Sequence, residues 1–315
     1  MRYKEWCAIR PRTDRQKRAY MKKIVKQNLV GTSMVILPFL GFLCFTLFPM
    51  LLSLALAFSN LRSALISEAK FDAGFKNFIF ILKDEYTWKA MRTTLVYSLT
   101  TFLNVAVALF LARVMNRHIY GKKFYLVLFF LPQVCSSVAV AMMWRWVFAE
   151  TGVINAFRVA QGKPVIDFFT DERYYMLAIY VMSLWKRGTN IVILLSAFSA
   201  INQSLEEAAR LDGANERQVF WNVTFPQLTP TIFYLITMNL IASLQEQALF
   251  QLLNPSAAPT GPNFWGLTLT YQMYRLMNVN LQYGLACAMS WFIGIFILIV
   301  TRLNFWLGKK WVSYD

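Results

Sequence analysis

The densest pattern of residues able to act on another molecule lies between Ser204 and Pro226, which reads SLEEAARLDGANERQVFWNVTFP. Ser204 and Glu207 have capping-box spacing, in which a hydroxyl and a carboxylate each satisfy an orphan amide at a helix start. That predicts a short helix beginning at Ser204, with Leu205, Ala208 and Ala209 on one face. Gly213 is placed to stop it in a left-handed conformation. Asn215 with Gln218 predicts a cap for a second short helix, which Pro226 ends. The product is a helix–turn–helix with a closely approachable alanine surface, rimmed by Glu206, Glu207, Arg210 and Asp212. Such a surface suits docking rather than catalysis. On these residues alone, a docking surface and an ordinary charged connector both stay open.

A second group consists of polar residues inside apolar stretches: Ser243, Gln245 and Glu246 in one, Lys186 and Arg187 close to Asn190 in another. An ionisable group in hydrocarbon costs several kcal/mol unless it faces a cavity or a partner. Amides, hydroxyls and carboxylates can exchange hydrogen bonds with the hydroxyls of a polar solute. The same groups can bond helix to helix, and the two cations can serve a structural ion pair. In a solute pathway, adjacent cations would suit a carboxylated solute such as a uronic-acid oligosaccharide. Arg145 sits near a span end, where its head group can snorkel to the interface. No Gly-x-x-x-x-Gly-Lys-Ser/Thr loop occurs, so the chain does not cradle ATP phosphates in that way. His118 is the single histidine and lies in a short basic loop, which leaves a histidine metal site or a Ser-His-Asp triad with little to rest on.

The elements that position these groups are membrane spans. Of 315 residues, 57% are hydrophobic and only 15% charged, where a soluble domain keeps roughly a quarter charged. Asn28 to Phe58 carries no charge at all, and about 20 apolar residues suffice to cross a bilayer. That run is too long for a cleaved secretory signal, despite Ala55-Leu56-Ala57 at its end. The expected fold is all-α and polytopic, with about six transmembrane helices: about Val30 to Phe58, Thr93 to Val114, Phe124 to Phe148, Tyr174 to Ala200, Pro230 to Leu253, and Tyr283 to Leu307. A basic tail (1–29) precedes the span region (30–308), and a short tail (309–315) follows it. Net charge is +16. Basic residues collect in the first tail, in the Arg113 to Lys123 loop and at Lys309–Lys310, which places both termini in the cytoplasm. The basic excess is thus topogenic, with anionic lipid as a further contact and no nucleic acid implied. Cys44, Cys135 and Cys287 fall in apolar segments and Cys7 in the tail, a pattern without a disulfide framework.

Taken together, Glu207-Ala208-Ala209, Asp212-Gly213-Ala214, Phe220, Pro226 and Pro230 resemble the EAA loop of binding-protein-dependent ABC importers. Pro38 to Asn60, Trp88 to Thr94, Gly261-Pro262 and Tyr283 to Trp291 are similar to the sugar-permease branch that includes the maltose and glycerol-phosphate permeases. The resemblance implies a type I ABC importer permease fold in a bacterial inner membrane, with the loop at about 201–227 as a coupling helix seated in a cytoplasmic ATPase subunit. It implies as partners a second homologous permease, two ATPase subunits that use ATP and Mg, and an extracytoplasmic solute-binding protein. It also places Ser243, Gln245 and Glu246 at positions that face the sugar. Two departures stand out: the outer loop beginning at Asn254 lacks the usual glycine pair, and the maltose permease's large periplasmic insertion is missing. A stand-alone secondary transporter or channel would need a self-sufficient pathway with visible repeats. A membrane-embedded enzyme would need clustered His, Asp or Cys at a membrane face.

Overall fold

The computed structural model describes residues 28–29, 31–116, 120–254 and 260–313, and every regular element among them is helical. The basic tail, Cys7, His118 and the centre of the outer loop lie outside the described residues. Helix α1 (Gly31–Leu56) belongs to a unit of its own. It is apolar on every side, as a helix facing hydrocarbon must be, and widens into a π-turn at Leu43–Leu47.

The second unit, from Ala57 onward, holds the remaining helices. In chain order these are α2 (Lys76–Lys83), α3 (Glu85–Ser98), α4 (Thr100–Asn116), α5 (Lys122–Val134), α6 (Ser137–Val147), α7 (Val153–Ala160), α8 (Glu172–Trp185), α9 (Gly188–Ala200), α10 (Gln203–Leu211), α11 (Glu216–Val219), α12 (Phe225–Leu244), α13 (Ala248–Leu253), α14 (Leu269–Asn278) and α15 (Tyr283–Gly308). Among the described residues, four helices are long and apolar enough to cross a membrane: Gly31–Leu56, Glu85–Asn116, Glu216–Leu244 and Tyr283–Gly308.

Three of the expected spans are broken. The third is divided into α5 and α6, bent by 101°. Pro132 withholds an amide there, and Ser136 restarts the chain by accepting the Ala139 N–H at 3.1 Å. Counted as one span, this pair is a fifth. The fourth expected span divides at Lys186–Arg187 into α8 and α9, neither long enough to cross alone. The fifth ends at Leu244, not Leu253, and its chain resumes as the short α13. Conversely, Pro226 does not end a helix. The Phe225 N–H bonds to the Phe220 carbonyl in a π-turn, so Pro226 enters α12 in the first turn, where no N–H is required. The result is one continuous helix from Glu216 to Leu244.

Packing explains where the breaks fall. One apolar cluster gathers Tyr97, Ala141, Tyr175, Ile179, Phe250 and Met289. A second gathers Val105, Ala108, Ile191, Leu194, Leu228 and Leu235. The chain passes between the two clusters four times: from α3 to α4, from α5 to α6, from α8 to α9, and from α12 to α13. At each crossing the side chains turn polar: Thr100, Thr101 and Asn104; Gln133 and Ser137; Lys186 and Arg187; Asn239, Ser243 and Glu246. A polar layer thus separates two apolar halves.

At the end of the bundle away from the 204–226 hairpin, Asn254 receives the Tyr175 hydroxyl and donates to the Gly266 carbonyl at 2.9 Å. Glu172 accepts Asn263 Nδ2 at 2.7 Å and Trp265 Nε1 at 3.2 Å, and these donors hold its carboxyl below the usual carboxylate range. The loop that begins at Asn254 is therefore anchored at its described ends without a glycine pair.

Close approach of backbones fixes the α8–α9 crossing. A Cβ at Gly188 would meet the Phe129 carbonyl and the Phe130 Cα of α5 at under 3 Å. Gly188→Val should cost about 1–3 kcal/mol by overpacking and lower the melting temperature of the detergent-solubilised protein. Gly294→Ala, which has open space around it, should leave it unchanged. Equal melting temperatures would mean that this crossing is not close-packed.

Candidate functional site

Three of the four crossings open onto one cavity of about 220 Å³. Gln133 and Ser137 flank the α5–α6 break, Lys186 and Arg187 form the α8–α9 break, and Glu246 lies in the α12–α13 break. Tyr97 and Trp144 also line it. Irregular backbone at membrane depth is tolerated only where it is buried in protein or lines a cavity, and these breaks do so together.

The charged groups are held unequally. Arg187 donates through Nε to the Ser183 carbonyl and through Nη1 to Asn239 Oδ1 at 3.2 Å. Behind it, the amides of Asn190 and Asn239 exchange bonds at 3.3 Å. Among the described residues, Lys186 reaches only Ser137 Oγ, at 3.4 Å. The Glu246 carboxylate accepts the Leu249 N–H at 3.1 Å and so caps α13, where an anion is favoured at the start of a helix. Trp144 stacks on Phe148 with ring centres 5.6 Å apart and meets Trp185 edge-on at 6.0 Å. Its indole N–H is buried with no partner among the described residues.

Of the residues singled out from sequence, Lys186, Arg187 and Glu246 come together in this cavity, with Asn190 behind Arg187. Two do not. Ser243 is buried, donates to the Leu240 carbonyl at 2.8 Å and accepts Thr101 Oγ1 at 3.3 Å. It bonds helix to helix. Gln245 is exposed and does not line the cavity. The residues missed are Tyr97, Gln133, Ser137, Trp144 and Asn239. A signal for Asn239 was present: Asn239, Ser243 and Glu246 recur at helical spacing of four and three.

At the other end of α12 stands the hairpin. The first cap is Asn202, whose side chain accepts the Ser204 N–H at 3.1 Å; the Ser204–Glu207 capping box is not formed. Asn202 wins because its short side chain, one residue before the helix, reaches the second amide directly. Gly213 takes φ +89°, and the Ala214 N–H closes onto the Ala209 carbonyl at 3.0 Å, a Schellman-type stop. The Asn215–Gln218 capping box is formed.

Four of the singled-out residues fix the hairpin in place. Glu206 accepts the Thr224 hydroxyl at 2.8 Å. Arg210 bridges Glu206 at 3.6 Å and Glu216 at 2.9 Å. Phe220 is buried beneath the Arg113 guanidinium, 3.6 Å from its ring centre, within the range of a cation–π contact. Pro226 opens α12. Glu207, Ala208, Asp212 and Gly213 are exposed, and Ala209 and Ala214 half-buried. Leu205, Ala208 and Leu211 form an outward stripe, with Leu211 89% exposed.

Comparison with known proteins places this geometry. Residues 104–312 match the family described as binding-protein-dependent transport system inner membrane component. The chain is 33% identical over 300 residues to the "Probable ABC transporter permease protein YesP" of Bacillus subtilis strain 168, covering 93% of this chain and 95% of that one. It is 28% identical to the sn-glycerol-3-phosphate transport system permease protein UgpA of Agrobacterium fabrum, covering 83% and 89%. Its fold is similar to that of a chain of a bacterial ABC transporter involved in the import of the acidic polysaccharide alginate, with a TM-score of 0.80 at 23% identity, covering 93% of this chain and 100% of that one. A chain of a bacterial alginate ABC transporter, in complex with an alginate pentasaccharide-bound periplasmic protein, gives 0.77 at 24% identity, covering 90% and 94%.

Asn239 is the acceptor that holds Arg187 against the cavity. Asn239→Ala should leave that guanidinium short of a partner, costing about 1–3 kcal/mol, and thermal unfolding in detergent should occur at lower temperature. An unchanged unfolding temperature would mean that Arg187 is held by other contacts.

Proposed function

The chain belongs to the family of inner membrane components of binding-protein-dependent transport systems, and from that membership we propose that it is one permease subunit of an ATP-driven carbohydrate importer. The observation that carries the reading is the convergence of three helix breaks on one polar cavity at the junction of two apolar halves. A solute crossing a membrane must meet polar groups where the bilayer offers none, and this cavity supplies them. Support for carbohydrate comes from relatives and fold neighbours named for glycerol phosphate and alginate.

In this reading the partners are a second homologous permease, two ATPase subunits and an extracytoplasmic solute-binding protein. ATP and Mg are used in the ATPase subunits. Both termini and the 201–227 hairpin face the cytoplasm. The outward stripe of Leu205, Ala208 and Leu211, flanked by Glu207 and Asp212, seats in the ATPase. Glu206 and Arg210 tie that stripe to Thr224 and Glu216 on the second limb, and Phe220 packs under Arg113 of α4, so a push on the hairpin passes into the continuous helix Glu216–Leu244. Its far end is the Glu246 break. ATP-driven closure of the ATPase pair would thereby reach the cavity through a rigid rod and expose it to each side of the membrane in turn.

Gly213→Pro tests the link. Proline requires φ near −65°, which the +89° of Gly213 excludes. In the reconstituted complex, binding-protein-stimulated ATP hydrolysis and solute uptake should fall together by tenfold or more while the complex still assembles. If both persist at native rates, the hairpin does not transmit the motion.

A further inference from the structure

We propose that the cavity at the three breaks recognises the anionic group of an acidic oligosaccharide, with Lys186 as the recognising charge. This deepens the importer reading and rests on it. The argument begins from charge. Two cations, Lys186 and Arg187, line the cavity against one lining carboxylate, Glu246. That carboxylate already accepts the Leu249 N–H at the start of α13. Arg187 is held by neutral acceptors, the Ser183 carbonyl and the Asn239 amide. Among the described residues, no carboxylate lies within ion-pair distance of Lys186. Its hydrogen bond to Ser137 Oγ, at 3.4 Å, is longer than the 2.7–2.9 Å of a charge-assisted bond.

Lys186 is half-buried and faces the cavity, so its ammonium is open to a ligand and has no carboxylate partner among the described residues. Here a ligand anion supplies the counter-ion. Directional donors extend the match. Gln133 and Ser137 line the same cavity and can bond to sugar hydroxyls. The Trp144 ring offers an apolar wall suited to the C–H face of a sugar ring. The wall is therefore rich in donors and positive in balance. A neutral sugar would leave Lys186 unpaired, whereas a sugar bearing a carboxylate or a phosphate would not.

The test uses cells carrying the complete transporter. They are offered an oligouronate, a sugar phosphate and a neutral oligosaccharide of matched length, with the native chain, Lys186→Gln and Lys186→Arg. Co-purification of the partner permease checks assembly. Oligouronate uptake at least tenfold above neutral uptake, lost tenfold in Lys186→Gln and largely restored in Lys186→Arg, supports the proposal and assigns the carboxylate. The same pattern for the sugar phosphate supports it and assigns the phosphate. Oligouronate and sugar-phosphate uptake no greater than neutral uptake, or unchanged in Lys186→Gln, overturns the proposal while leaving a carbohydrate importer standing. Uptake of none of the three overturns the carbohydrate reading, and this inference with it. Should Lys186→Gln fail to assemble, the native chain's preference between charged and neutral sugars decides the matter alone.

Discussion

A backbone amide or carbonyl left unbonded in hydrocarbon costs several kcal/mol, and the architecture follows from where this chain meets that cost. Each of three helix breaks would be unstable against lipid. Each satisfies its own ends through a side chain, and brought together they enclose a shared polar volume. Ser136 caps α6, Glu246 caps α13, and Arg187 returns to the Ser183 carbonyl of the helix it leaves. The apolar clusters on either side are what remain when the polar groups are gathered into one layer. The cavity is thus less an ornament on a bundle than the condition under which the broken helices can exist at membrane depth.

The same logic explains why the hairpin is stiff. A connector between membrane helices needs no specific bonds, since water satisfies its backbone. This one has two side-chain caps, a left-handed glycine stop, a three-residue ion network and a guanidinium laid over a buried phenyl ring. Exposed ion pairs of this kind contribute little stability, but here they fix orientation. The π-turn after Val219 matters for the same reason. It carries Pro226 into the helix without a kink that ends it, so hairpin and rod are one element.

Much of this was legible in the sequence. Span positions followed from apolar length, the hairpin's second cap from Asn215 and Gln218, and its stop from Gly213. Lys186, Arg187 and Glu246 drew attention because charges in apolar stretches demand a reason. The illegible parts have physical causes. Hydropathy averages over a break, so Tyr174 to Ala200 and Pro230 to Leu253 read as unbroken spans. Capping is decided by a one-residue register, which let Ser204 stand in for Asn202. Pro226 looked like a terminator because a π-turn leaves no compositional mark. Gln133, Ser137 and Trp144 are ordinary residues individually, and only the 101° bend brings them beside Lys186.

The central claim is that this cavity is the solute's path and is exposed alternately to the two sides of the membrane. The direct measurement is thiol accessibility at Ser137→Cys, in a complex whose native Cys7, Cys44, Cys135 and Cys287 are replaced by serine. A membrane-impermeant maleimide should label it from the cytoplasmic side without nucleotide, and from the outer side when ATP is trapped with binding protein present. Labelling from the same side in both states, or from neither, would contradict the account.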